Sequence, residues 1–172
     1  MAKTSYIIKT GGLPTGIHEF EFDVKGSFFK EFETEQVSEA EIQIKAQVQK
    51  QNNVLQVSVN LSGTITTSCD RCLKEYPFPV SAQEILLIKP GNPEDSNDEV
   101  LFVEEGETDF DVTSQIYEYA LTSIPIRKVP CETDAAFECD EDVVSKLEEL
   151  ETRIQSERNP EWEKLNKLKN KN

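Results

Sequence analysis

Histidine is almost missing from this chain, and its scarcity narrows the chemistry. A Ser or Cys nucleophile needs a base beside it, usually an imidazole. The one histidine among 172 residues, His18, falls in "IHEFEFDV", an alternating run that reads as a strand with a surface imidazole. Glycine is also scarce, with only seven residues, and no phosphate-cradling glycine loop or serine elbow is present. Long apolar runs are missing: "EILLIKP" is the longest candidate and far too short to span a bilayer. Residues 1–10 lack the basic start and apolar stretch of a secretory leader. Basic charge is the last shortage. Lys and Arg number 18 against 33 Asp and Glu, a net charge of −15, which excludes gripping nucleic acid by bulk charge neutralisation. These absences lead to the expectation of a non-enzymatic cytoplasmic protein, where thiols stay reduced.

What is present is first a set of strand patterns. "TSYIIKT" and "IHEFEFDV" are short β-prone runs either side of the loop "GGLPTG", with Phe20 and Phe22 on one face. "FFKEFETEQVSE" fits either a short helical turn or a loop. "AEIQIKAQVQK" and "VLQVSVNLSGTITTS" alternate cleanly around "QNN" and predict a hairpin, with Ile42, Ile44, Ala46 and Val48 facing one way and Leu55, Val57, Val59 and Leu61 sharing a side. "YPFPVSAQEILLIK" continues as an extended run whose prolines suit a strand start or an edge. Residues 89–99 form a polar loop expected to be mobile, and "VLFV" reads as one more short strand.

The second half turns helical. Asp111 is a natural cap for a helix carrying Val112, Ile116, Ala120 and Ile124, with Tyr119 beside them, stopped by Pro125. A second helix over 140–156 shows a narrow seam of Val143, Leu147, Leu150 and Ile154. "NPEWEKLNKLKN" adds a short element capped by Asn159, with Pro160 in its first turn and Trp162, Leu165 and Leu168 on one ridge. The fold class that follows is α+β: an antiparallel sheet from the N-terminal half, open or barrel-like, then helices in the C-terminal half. The expected division is a single domain over 1–139, cysteine segments included, and a loosely docked helical arm over 140–172.

Charge and cysteine are the remaining features. Residues 94–111 carry nine acids and no base, whereas Lys164, Lys167, Lys169 and Lys171 form a short basic tail. Cys69 and Cys72 in "SCDRCL" have the spacing of a metal-binding knuckle, and Cys131 and Cys139 could complete a zinc site. Their own spacing, Cys-x7-Cys, is not a knuckle, and Leu73 stands where glycine often follows. The competing reading is four reduced thiols, some buried as small hydrophobes, and on spacing alone the balance falls slightly on that side. A redox couple would want its first cysteine at a helix N-terminus, but Cys69 ends a strand.

Four features now stand in order: "CDRCL" after a hairpin, the acidic loop, the acid-capped helix of "DFDVTSQIYEYALTSIPIRKVPC", and the tryptophan-bearing "NPEWEKLNKLKNK". With "IIKTGGLPTGIHEFEFDV" and "FFKEFE" at the start, the chain resembles the YceD family, the bacterial large ribosomal RNA subunit accumulation proteins with relatives in plastids. The resemblance spans nearly the whole chain and rests on Cys69, Arg71, Cys72, Pro125, Pro130, Trp162 and Leu165. It implies a non-catalytic role in ribosome assembly, supporting accumulation of large-subunit ribosomal RNA, with no active site to carry over. The implied partner is a large-subunit RNA or a basic ribosomal protein, with no membrane and no small-molecule substrate. The later cysteines are not uniform across the family, so the resemblance does not require zinc.

An acidic protein meets such a partner by one of two routes. Its acidic face can hold a basic protein. Alternatively a local basic patch touches RNA, and Arg71, Lys74, Arg127, Lys128, Trp162, Lys164 and Lys167 are the candidates. If the cysteines converge, Arg71 and Lys74 would come close to Arg127 and Lys128. The alternative from another class is a structural zinc module for protein–protein contact unrelated to ribosomes. An RNA-processing enzyme, the third reading, would need a pocket of convergent polar groups.

Overall fold

The computed structural model describes residues 4–34, 36–51 and 54–156, with α3 side chains described as far as Arg153. The described residues fall into two compact units: unit 1, from residues 4–68 and 75–127, and unit 2, from residues 69–74 and 128–156. The boundary expected at 139/140 is therefore not the one between these units, because both cysteine segments group with the C-terminal helix.

Unit 1 is α+β, with a mostly antiparallel sheet. Its centre is the predicted hairpin, β3 (Glu39–Gln51) and β4 (Val54–Ser68), with β3 paired over its full length to Val54–Thr66 of β4. Alternation over runs this long leaves one register that buries the apolar face. Ile42, Ile44, Ala46 and Val48 are buried as predicted, and so are Leu55, Val57, Val59 and Leu61. Gly63 lies opposite Ile42, where a Cβ would overlap the Glu41 carbonyl and sit 2.7 Å from the Ile42 Cα; the close approach of the two backbones requires glycine.

β2 (Ile17–Lys25) joins the free side of β3, and β5 (Glu75–Pro90) that of β4. β6 (Val100–Val103) pairs in parallel with the last residues of β5, giving the open order β2-β3-β4-β5-β6. Pro77 and Pro79 fit because β6 reaches only Leu87–Pro90, so β5 is an edge where its prolines lie. The polar 89–99 segment is tied down at several points. It contains a 3-10 turn at Pro93–Asp95, and the Asn97 side chain accepts from the amides of Glu99 (3.0 Å) and Val100 (2.8 Å).

A second, two-stranded sheet joins part of the β-prone run "TSYIIKT" to a strand that the sequence reading missed. β1 (Ile7–Lys9) pairs antiparallel with β7 (Asp109–Asp111), burying Ile8 and Phe110. The ambiguous "FFKEFE" becomes α1 (Gly26–Lys30), a helical turn that buries Phe28 and Phe29. Phe28 meets Tyr6 and Phe32 edge to face, each at 5.2 Å, and Phe32 stacks on Tyr117 of α2 (Thr113–Thr122) at 4.1 Å. α2 lays Ile116, Tyr119 and Ala120 into the same core. The Asp111 carboxylate accepts from the Thr113 amide at 2.9 Å, the capping expected of it, although Val112 holds the cap position.

Unit 2 is built from the β4–β5 turn, residues 69–74, the segment 128–140, and α3 (Glu141–Ser156). Asp140 starts α3: its carboxylate accepts from the amides of Asp142 (3.1 Å) and Val143 (3.2 Å). No helix among the described residues is long and apolar enough to cross a membrane.

Candidate functional site

The site is the cysteine cluster of unit 2, and its first half is a turn. β4 ends at Ser68, and the chain folds back so that the Leu73 amide donates to the Cys69 carbonyl at 2.9 Å and the Cys69 amide to the Lys74 carbonyl at 2.9 Å. The Arg71 amide points at Cys69 Sγ, 3.4 Å away. Leu73 takes φ 62°, the left-handed step that glycine usually supplies after such a pair. A leucine there costs about 1–2 kcal/mol, so the missing glycine does not prevent the knuckle but strains it. The chain then enters β5, so the element that follows the pair in sequence is a strand and not the helix of a dithiol redox motif.

The second half shows why a spacing of seven can close. Cys131 lies in a 3-10 turn, Pro130–Glu132, and Cys139 immediately precedes the Asp140 cap. Between them the Asp134 amide donates to the Pro130 carbonyl at 2.7 Å, and the Phe137 amide to the Asp134 carbonyl at 3.1 Å. The Asp134 side chain accepts from the Ala136 amide at 2.9 Å. Two successive turns return the chain on itself and bring the Cys139 and Cys131 thiols near enough to act on one another, although Cys131 lies outside the tight group of Cys69, Cys72 and Cys139.

Asp70 fastens the two halves together. Its amide donates to the Lys128 carbonyl at 2.7 Å, its carboxylate accepts from the Lys128 amide at 2.7 Å, and Lys128 Nζ lies 2.8 Å from the same carboxylate. Lys74 Nζ donates to the Glu138 carbonyl at 3.0 Å and sits over the Phe137 ring. The sulfurs of Cys69, Cys72 and Cys139 consequently all lie within 4.8 Å of one another and could hold a metal ion.

Electrostatics within the cluster are uneven. Burial works to raise the Cys72 thiol, but backbone amides of Asp140 and Lys74 and the thiols of Cys139 and Cys69 outweigh it, and the group lies below the ordinary thiol value. Cys139 is pushed up to about 12, first by its hydrogen bond to Cys131, then by burial and by its bond to and the charge of Cys72. Cys72 is shifted toward the thiolate and Cys139 toward the thiol, the latter chiefly through Cys131.

The turn brings Arg71, Lys74 and Lys128 into one unit. Lys74 and Lys128 spend their ammonium groups inside unit 2, Arg71 is exposed on the knuckle, and Arg127 belongs to unit 1. Trp162, Lys164 and Lys167, with the Asn159 cap and the Leu165 and Leu168 ridge, lie outside the described residues. Two features went unseen in the sequence: Asp70 as the clasp, and Leu73 as an apolar tip, 71% exposed. The first had a faint signal, an acid inside the knuckle with a lysine two residues before Pro130.

No curated protein and no solved structure matches the chain. Residues 57–169 match the family described as Large ribosomal RNA subunit accumulation protein YceD. That span takes in both cysteine segments, α2 and α3, and covers well over half of the chain: the protein belongs to the YceD family.

Proposed function

We propose that the protein is a non-catalytic ribosome-assembly factor that supports accumulation of large-subunit ribosomal RNA by holding a basic ribosomal protein. The family match over residues 57–169 is the observation that carries the role. Charge favours a protein over RNA as the direct partner. The chain carries −15, and phosphate is repelled by such a surface whereas a basic protein is drawn to it. Within unit 2 the same sign prevails: Glu138, Asp140, Glu141 and Asp142 crowd the start of α3, while Lys74 and Lys128 are engaged internally.

The non-catalytic part of the reading draws on where the reactive groups sit. The His18 imidazole donates from Nε2 to the Pro14 carbonyl at 2.8 Å and sits on β2. Tyr119, raised to about 12 by burial, lines a void of only about 10 Å³, too small for a substrate. The cofactor that goes with this reading is a structural zinc ion at the cysteine cluster, with no part in substrate chemistry. The place of work is the cytoplasm, where the charge complementarity operates on newly made ribosomal proteins.

The test is capture from lysate by the tagged full-length chain at low salt, with and without RNase. The expected result is a set of basic large-subunit proteins that survives RNase and elutes as salt rises. Capture abolished by RNase would make RNA the direct partner. Absence of any large-subunit component would remove the assembly role.

A further inference from the structure

The outer side of β5 carries a gap in the hydrogen bonding of the sheet. The Leu87 amide donates to the Glu99 carbonyl at 2.8 Å and the Gly91 amide to the Val103 carbonyl at 2.9 Å, so odd-numbered residues of β5 turn their backbone groups away from β4. The register with β4 is unbroken from Glu75 to Ile88, and the same parity therefore holds along that whole length. Pro77 and Pro79 stand at odd positions, where an N–H would point outward, and they remove it. β6 begins its pairing only at Leu87. Between these limits the N–H and C=O groups of Ser81, Gln83 and Ile85 face outward, and no strand among the described residues pairs with them. We infer that this window takes up an extended basic segment of the ribosomal partner as an added strand; the inference rests on the reading of that partner as a basic protein.

Side chains around the window select the segment. The burial alternation of β5 breaks here: Gln83, Glu84 and Ile85 are exposed in succession, although Glu84 lies on the face where Phe78 and Leu86 are buried. Asp98 and Glu118 gather on the same side. The Tyr119 hydroxyl donates to the Asp98 carbonyl at 3.4 Å, and the charges of Glu84, Glu118 and Asp98 all bear on that hydroxyl. The three carboxylates are exposed, and none forms an ion pair with a described residue. On the opposite face Ile85 is 57% exposed. A strand laid along this edge alternates its side chains between the two faces, so the segment that fits carries Lys or Arg at every second position and an apolar residue between them. A second copy of this chain fits poorly, because it would bring together two chains of −15 with a Glu84 from each at the same window. Edge prolines and an inward-facing charge are devices that keep an edge from pairing with its like.

The test titrates overlapping synthetic peptides covering the large-subunit ribosomal proteins against the purified full chain, and follows the tightest binder by amide nuclear magnetic resonance. The expected result is binding by peptides with alternating basic residues, weakening as salt rises. The amides of Ser81, Gln83 and Ile85 should shift and gain protection from exchange, while those of Ala82 and Glu84, which face β4, change little. Gln83→Pro removes the central donor at the parity that already accepts Pro77 and Pro79, and should weaken binding about ten-fold. Glu84→Gln leaves the backbone intact and should weaken it about three-fold. If Gln83→Pro fails to fold, Glu84→Gln and the amide shifts decide. Shifts confined to another part of the chain, or binding untouched by both variants, would overturn the window. Self-association abolished by Gln83→Pro would make a second copy the occupant and overturn the basic segment. Intact large-subunit proteins captured by the wild-type chain, with no peptide bound, would overturn the added strand and leave the partner reading standing. Failure to capture any large-subunit component would take down both.

Discussion

Unit 1 and unit 2 are held together by different means. Unit 1 buries one continuous apolar cluster that runs from Tyr6 through the β3–β4 hairpin to Ala120. Unit 2 buries two cysteines and a proline among its described residues, and is fastened by Asp70, by backbone turns and by sulfur. A core of the first kind tolerates the loss of any one contact at a cost of a few kcal/mol. A clasp of the second kind depends on a few groups acting together. The difference suggests how to take the molecule apart one unit at a time.

The largest expected effect is metal removal. Binding of structural zinc to small cysteine modules is worth about 10–16 kcal/mol, and that energy is folding energy. Chelation should strip hydrogen-exchange protection from residues 69–74 and 128–153 while β3 and β4 keep theirs. Loss of protection in both units at once would mean that the two do not stand on separate supports.

The converse break is Phe28→Ala. Phe28 is 1% exposed and meets four aromatic rings, those of Tyr6, Phe29, Phe32 and Tyr117. Its truncation should destabilise unit 1 by about 3–5 kcal/mol, read from urea unfolding of the sheet by circular dichroism. Zinc content below the transition should stay at the wild-type value.

A third effect separates the two by pH. Tyr119 is 7% exposed and its hydroxyl is pushed up to about 12 by burial, helped by Glu84, Glu118 and Asp98. Unfolded tyrosine ionises near pH 10, so between about 10 and 12 the unfolded chain holds fewer protons than the folded one. Stability contributed by the neutral phenol is therefore complete below pH 10 and lost as pH rises through that window. The gap between the folded and unfolded phenol corresponds to about 2–3 kcal/mol. Tyr119→Phe should flatten the decline of sheet stability over that range; an unchanged slope would assign the decline to other groups.

The same contrast explains what could be read in advance. β3 and β4 were legible because alternation over 13 and 15 residues admits one periodicity and one register. β1 fell within a run read as β-prone, but β7 and its pairing with β1 were not legible, because three-residue strands about a hundred positions apart carry no pattern that joins them. Phe28 and Phe29 were half-legible, since "FFKEFE" satisfies helix and loop alike. In unit 2 the knuckle was visible as two cysteines, but the return of Cys139 to Cys131 depends on two turns inside the spacing. The fate of Lys74 and Lys128 depended on Glu138 and Asp70, distant in the chain, which no local pattern pairs with them.

The smallest effect is the sharpest probe of unit 2. Leu73 is a leucine in a left-handed backbone, with φ 62° and a side chain 71% exposed. Leu73→Gly removes a conformational cost of about 1–2 kcal/mol and adds glycine's entropic cost of up to about 1 kcal/mol, for a net gain near 0.5 kcal/mol. Because that strain sits inside the cysteine knuckle, zinc loaded at the proposed site should leave the variant about two-fold more slowly in competition with a chelator. Leu73→Ala keeps the left-handed cost and should show no gain, which separates backbone strain from any effect of the side chain. If glycine gives no slower release, the turn is not strained in the way its φ implies. If it does, and capture of the large-subunit partner weakens in the same variant, then the exposed leucine is a contact that the knuckle holds out at the expense of its own stability.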